Sequence, residues 1–257
     1  MMASSFDLLS SLLSILLFSV SSASLDSVPD FLQCLSDYSP PFDPISEAIY
    51  TPQNSSFSDV LQSYIRNLRF MTLKTPKPLV IVAAKRESHV QATVMCAKTH
   101  GLEIRIRSGG HDYKGLSYVS SIPFVVFDLF NLWYISIDIA NETGWVQAGI
   151  SLGELYYGIA EKSNVHGFPV GLCPTLGTGS HFTEGGYGTM MRKYGLSVDN
   201  IMDAQLVDVN GRSLDRESMG DNLFWAIKGG GAANFGAVLS WKINLVWVPK
   251  TVTVFKV

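Results

Sequence analysis

The chain has 257 residues, is 47% hydrophobic and 16% charged, and so has the balance of a packed globule with room for one large domain or two small ones. A formal net charge of −3 supplies no basic footprint, which counts against nucleic acid as a partner and leaves a small molecule as the expected ligand. The histidines and cysteines show no zinc-ligand spacing, so no metal is expected, and no G-x-S-x-G marks a serine hydrolase.

Met1–Ser24 contains an apolar run from Leu12 to Val20, followed by the small residues Ser21, Ser22 and Ala23. The run is shorter than the roughly 20 apolar residues a bilayer span needs. It reads as a secretory signal over residues 1–23, cleaved near Ala23, with no membrane attachment afterwards. Asp7, and the lack of Lys or Arg before the run, depart from the usual pattern.

Residues 24–73 are expected to form an N-terminal helical segment. Pro29–Ser36 has Asp30 in a capping position and Phe31, Leu32 and Leu35 on one face. Tyr38–Pro44 is proline-rich and predicts a loop, and Phe57–Leu68 carries Val60, Leu61, Tyr64, Ile65 and Leu68 at helical spacing. Lys74–Pro78, KTPKP, reads as a linker, so a main domain is expected over 74–250.

Leu79–Ala83 predicts a buried strand, Glu87–Thr99 a helix closed at His100-Gly101, and Glu103–Arg107 a second strand. No G-x-G-x-x-G follows a strand, so a Rossmann reading fails. Phe124–Leu129, Tyr134–Asp138 and Trp145–Ala148 read as strands, and Ser151–Lys162 as a helix with Ser151 and Glu154 forming a capping box. Gln205–Val209 alternates and meets Asn210-Gly211, a hairpin signal, and Ala237–Val248 closes as a strand-rich run. This mixed order gives the α+β class.

Two stretches carry the chemistry. Arg105–Ser120, RIRSGGHDYKGLSYVS, ends a strand in Ser108-Gly109-Gly110, a turn suited to bring backbone N–H groups to an anion, with His111 at its exit. Gly171–Gly188, GLCPTLGTGSHFTEGGYG, is glycine-rich and contains Cys173. The run Met190–Arg212 and the stretch Asp221–Gly236, DNLFWAIKGGGAANFG, complete the set.

Together these motifs resemble the berberine bridge enzyme-like plant flavoproteins of the vanillyl-alcohol-oxidase superfamily. The resemblance implies a PCMH-type FAD-binding domain of two α+β subdomains, with FAD held bicovalently through His111 (8-alpha-histidyl) and Cys173 (6-S-cysteinyl). It assigns cofactor contacts to Arg107, Ser108, Gly109, Gly110 and Asp112 on the first turn. Beyond the cysteine it assigns them to Gly177, Gly179, Ser180, His181 and Phe182, with Gly185, Gly186 and Gly188 letting the backbone pass close. Ser180 and Glu184 stand where many relatives have glycine, which places a carboxylate near the diphosphate. Leu176 falls at the family's oxygen gate, where leucine favours a dehydrogenase over an oxidase. No catalytic base is assigned, because in the family it comes from a substrate domain, expected to be absent here with 251–257 only its start.

In a secreted chain thiols tend to pair, and three cysteines leave one over; the family pairs Cys34 with Cys96 and leaves Cys173 for the flavin. Asn54-Ser55-Ser56 and Asn141-Glu142-Thr143 are glycosylation sequons. His89 and His100 are expected at the surface, and Asp128, Asp138, Asp199 and Asp203 are expected to satisfy backbone groups. The expected function is FAD-dependent hydride abstraction from an alcohol, carbohydrate or alkaloid, in the cell wall or apoplast, by a truncated form with little turnover. The alternatives are a non-catalytic, allergen-like flavin-binding glycoprotein and an unstable fragment.

Overall fold

The computed structural model describes residues 27–253, 255 and 256; the signal-peptide reading of 1–23 lies outside them. The chain opens with helix α1 (Ser27–Tyr38), the short strand β1 (Ile49–Tyr50) and helix α2 (Phe57–Ser63). Strand β2 (Val80–Ala83), helix α3 (Glu87–Thr99), β3 (Glu103–Arg107) and β4 (Phe124–Asp128) follow. They build a first sheet in the order β1-β2-β4-β3, with β2 and β3 both parallel to β4.

This sheet is covered on both faces, which is why β2, and β4 as far as Phe127, are continuous apolar runs. On one face Val80, Val82, Val125 and Phe127 pack against α1 and α3; on the other Ile81 and Val126 pack against Phe57 and Leu61 of α2. The 24–73 segment therefore supplies part of the first subdomain's core. A disulfide joins Cys34 of α1 to Cys96 of α3, with Cα atoms 5.8 Å apart. A cross-link closing a loop of this length is worth about 2–4 kcal/mol.

The second sheet contains β5 (Ile135–Asp138), β6 (Thr143–Gln147), β8 (Ile201–Asp208), β9 (Ser213–Leu214) and β10 (Gly236–Asn244), all antiparallel in the order β5-β6-β10-β8-β9. Helix α4 (Leu152–Ala160) buries Leu152, Leu155 and Ile159 against it. The capping box read from Ser151 and Glu154 is present. A two-stranded ribbon pairs β7 (His166–Gly167) with β11 (Val246–Trp247), so the expected last strand is divided after Asn244. Short helix α5 (Thr178–His181) and the longer α6 (Arg216–Ile227), bent at Gly220, complete the unit.

Two expectations need correction. The helix expected over 57–68 stops at Ser63, because the Val60 and Leu61 carbonyls, which would accept from residues 64 and 65, accept instead from the Arg107 guanidinium. His89, expected at the surface, is 1% exposed: it lies on the inner side of α3, with Nδ1 accepting the Lys85 N–H and Nε2 3.4 Å from Asp43. His100 is half-buried against Phe31. The four aspartates do serve structure. Asp138, Asp199 and Asp203 accept from the backbone N–H groups of Asn141, Leu196 and Arg216, and Asp128 accepts from that of Phe130.

Candidate cofactor site

The site begins where β3 and β4 end side by side, at the carboxyl edge of the parallel strands, the usual position for a ligand crevice. Arg107, the last residue of β3, is fully buried. Its Nε donates to Asp128 Oδ2 at 2.9 Å, Nη2 to the same oxygen, Nη1 to Leu61 O at 2.6 Å, and Nη2 also to Val60 O at 2.9 Å. The side chain is thus committed within the protein, and the Arg107 carbonyl likewise accepts from Leu129 N at 2.9 Å. Ser108 is likewise anchored, its hydroxyl donating to Ala148 O at 2.7 Å across the boundary between the two sheets.

The glycines after it are dictated by close approach. A Cβ on Gly109 would stand 2.4 Å from Gly177 N, so the two motifs read from the sequence meet backbone to backbone. Gly110 has φ +68°, and a Cβ there would stand 1.7 Å from Tyr64 O, so neither the conformation nor the space admits a side chain. Among the described residues, the N–H groups of Gly109, Gly110 and His111 donate to no protein acceptor. Gly109 and Gly110 are buried, so these orphan donors want a partner, and an anion seated on the turn would supply one.

His111 is half-buried, and its Nε2 lies 2.8 Å from Thr175 Oγ1. Burial, helped by the nearby Arg66 charge, lowers its pKa below the ordinary histidine value, with Thr175 opposing. Cys173 is exposed, and its Sγ lies 3.6 Å from the same Thr175 hydroxyl. That hydrogen bond is the main cause lowering the thiol pKa. One hydroxyl, two residues after the cysteine, therefore stands between the two groups read as attachment points. The sequence reading missed Thr175, although its place in the C-P-T motif was the available signal.

Two hollows adjoin these loops. One, of about 410 Å³, is a cleft between the sheets lined by Ser108, Asp112, Gly179, Ser180, Glu184 and Val238, among others. The other, of about 330 Å³, is bounded by Gly109, Thr175 and Gly177 and by Tyr64, Arg66 and Trp133. Tyr64 stacks on Phe130 with centroids 5.7 Å apart. These aromatics had no sequence motif to announce them. The cleft, the orphan N–H turn and the paired His111 and Cys173 fit an elongated dinucleotide with an anionic middle.

Other residues read as contacts lie deeper. Phe182 is fully buried against Phe168 and Trp241, and half-buried His181 accepts the Gly171 N–H on Nε2 at 3.1 Å. Burial lowers the His181 pKa. Gly186 and Gly188 admit Ser197 and the Val170 carbonyl rather than open space, and Gly185 adjoins Leu196. Leu176 is half-buried against the second core. Asn54 and Asn141 are both exposed, away from the site.

These features define a flavin-nucleotide-binding domain, and the FAD binding domain family matches residues 78–215, more than half of the chain. The chain belongs to that family and, within it, to the berberine bridge enzyme-like proteins. It is 58% identical to berberine bridge enzyme-like 9 of Arabidopsis thaliana over 239 residues, covering 91% of this chain and 45% of that protein. With tetrahydroberberine oxidase of Berberis wilsoniae it shares 55% identity over 254 residues, covering 99% and 47%. The structure of BBE-like 28 from Arabidopsis thaliana superposes with a TM-score of 0.80 at 49% identity, covering 86% of this chain and 43% of that one. Wild-type Phl p 4.0202, a glucose dehydrogenase, superposes with a TM-score of 0.81 at 43% identity, covering 86% and 44%. The chain thus spans a little under half the length of the relatives it matches, and the shared fold is their FAD-binding part.

Proposed function

We propose that the chain holds FAD between its two sheets by bonds to both His111 and Cys173, as part of a secreted oxidoreductase that removes hydride from an alcohol, carbohydrate or alkaloid. The observation that carries this reading is the convergence of His111 and Cys173 on Thr175 beside a turn of orphan N–H groups. FAD, when bound, supplies the hydride acceptor that no side chain provides.

The protein's own part is to bind and to orient. Gly109, Gly110 and His111 present backbone donors to the diphosphate. In the tautomer whose Nε2–H donates to Thr175 Oγ1, the Nδ1 of His111 is unprotonated and free to form the tether. The lowered thiol pKa of Cys173 favours the thiolate that a second tether requires. Two tethers fix orientation, and orientation accounts for about 7–11 kcal/mol of barrier in well-aligned reactions. Leu176 beside Cys173 favours a dehydrogenase, and Asn54 and Asn141 carry glycans in the apoplast or cell wall.

Acid precipitation of the secreted chain tests this. Yellow colour should stay with the protein, and His111→Ala or Cys173→Ala should each leave one tether, with release only when both are changed. Flavin that washes out completely from the unaltered denatured chain would sink the bicovalent assignment.

A further inference from the structure

The hollow bounded by Gly109, Thr175 and Gly177 has two charged side chains on its wall, Arg66 and Glu154. Glu154 is taken up by its own surroundings: Oε2 accepts from Ser151 N at 2.8 Å and from the Ser151 hydroxyl at 2.7 Å, and Oε1 accepts from Trp133 Nε1 at 2.8 Å. Arg66 is uncommitted. It is exposed, and among the described residues its guanidinium donates no hydrogen bond and meets no carboxylate; it lies over the Tyr64 ring, 5.5 Å from the centroid. Its backbone N–H, donated to Gly110 O at 3.4 Å, ties the residue to the turn. Two buried backbone donors line the same hollow. The N–H groups of Gly109 and Gly177 donate to no protein acceptor among the described residues. They lie together, because a Cβ on Gly109 would stand 2.4 Å from Gly177 N and one on Gly177 would stand 2.5 Å from Gly109 N.

Buried N–H groups without a partner call for an acceptor, and a guanidinium without a carboxylate calls for an anion. One wall presents both. A carboxylate has only two oxygens to share among these donors, whereas a phosphate can meet the planar fork of Arg66 with two oxygens and the paired N–H groups with another. The Arg66 charge also reaches the groups read as attachment points: behind burial at His111, and behind the Thr175 hydrogen bond at Cys173, it is a further cause lowering each pKa. We propose that Arg66 closes an anion seat in this hollow and selects a phosphate-bearing flavin, its guanidinium facing a phosphate that also takes the N–H groups of Gly109 and Gly177. The proposal rests on the FAD reading. A unit charge beside a phosphate, facing water, shifts affinity by about three- to tenfold at low salt. Screening removes most of this when the Debye length falls from about 30 Å at 0.01 M to about 3 Å at 1 M.

The test uses the full chain carrying His111→Ala and Cys173→Ala, so that binding is reversible, with and without Arg66→Gln, and with Arg66→Lys as a second variant. Dissociation constants for FAD and for riboflavin, which has no phosphate, are measured by flavin fluorescence, and that for inorganic pyrophosphate by calorimetry without flavin, at about 0.01 M and about 1 M salt. Folding of each variant is checked by circular dichroism. The expected result is that FAD and pyrophosphate bind about three- to tenfold more weakly to Arg66→Gln at low salt, with a smaller loss in Arg66→Lys, little difference at high salt, and unchanged riboflavin binding. FAD bound equally well by folded Arg66→Gln would overturn the proposal and leave the FAD reading standing, as would an equal loss for riboflavin. If none of the folded chains binds FAD yet pyrophosphate binding still depends on Arg66, the FAD reading falls and the hollow stands as an anion seat.

Discussion

Thr175 Oγ1 lies 2.8 Å from His111 Nε2, an approach spanning 64 positions of the sequence. The same oxygen is 3.6 Å from Cys173 Sγ, so this hydroxyl couples the two side chains. Thr175→Val should raise the Cys173 thiol pKa by removing its main stabilising partner. Alkylation by iodoacetamide near neutral pH should slow about two- to fivefold, the fall in thiolate fraction for a modest upward shift. Thr175→Ser should restore the rate. A rate profile against pH that is identical in Thr175→Val and the unaltered chain would separate Thr175 from the thiol.

Replacing Arg107 by Met should destabilise the fold by about 3–5 kcal/mol, because it leaves Asp128 as an uncompensated charge in an apolar interior. Arg107→Lys should rescue little, since a single ammonium cannot reach Asp128, Leu61 and Val60 with the geometry of a planar fork. Urea unfolding midpoints compare the three chains directly.

Acidification should weaken the fold below about pH 6.5, the ordinary histidine value. Burial lowers the pKa of His89, His111 and His181, so the folded chain resists protons that the unfolded chain accepts. Their contribution is fully present above the unfolded value and is lost as pH falls through the folded ones. At His89 the carboxylate of Asp43 opposes the burial effect and the Arg86 charge adds to it. Melting temperatures at pH 7.5 and 5.5 should differ, and by less in His89→Gln. A melting temperature that is flat across this window would contradict the reading.

Of the two sequons, Asn54 should be occupied more fully than Asn141. The Asn54 Oδ1 accepts from the Thr51 N–H and hydroxyl, leaving its amide nitrogen open. In Asn141 that nitrogen donates to Asp138 Oδ2 at 2.7 Å, a bond that a glycan would have to displace. Glycopeptide mass spectrometry of secreted protein reports both occupancies. Asp138→Ala should raise that of Asn141.

We propose that an open thiol face leaves substrate reduction slow. Leu172, Cys173, Thr175 and Tyr187 are exposed, so among the described residues nothing closes over the thiol to exclude water or place a donor carbon. A positioned base is worth about 10²–10⁴ in rate. Anaerobic flavin bleaching against monolignols, oligosaccharides and alkaloids measures it. Saturable reduction as fast as that of a longer relative would place the full catalytic set within this chain.

The parts of the fold that were legible are those where a strand or helix buries a face of its own sequence. Val80–Ala83 and Phe124–Phe127 are apolar throughout because both faces are covered, and Ser151 with Glu154 announces its helix. Helix α6 went unread because its moment is blunted by a bend at Gly220, although Asp215 and Ser218 form a capping box at its start. In the site, SGGHD and GLCPT were legible as motifs, and backbone contact between Gly109 and Gly177 explains why both need glycine. What sequence could not show was side-chain partnership across distance. The Arg107 side chain is a buried strut whose partners no motif announced, and Thr175, Tyr64 and Phe130 carried no signature.

Arg107 also bears on where this domain begins. The family match starts at residue 78, yet the guanidinium at the end of β3 is completed by the carbonyls of Val60 and Leu61, and the Tyr64 carbonyl sits where any side chain on residue 110 would go. The flavin turn is therefore moulded from both sides of that boundary. A chain cut at residue 78 would keep every cofactor motif and lose the die in which the turn is cast. Swapping this domain between relatives should accordingly succeed only when the residues from Phe57 to Arg66 travel with it.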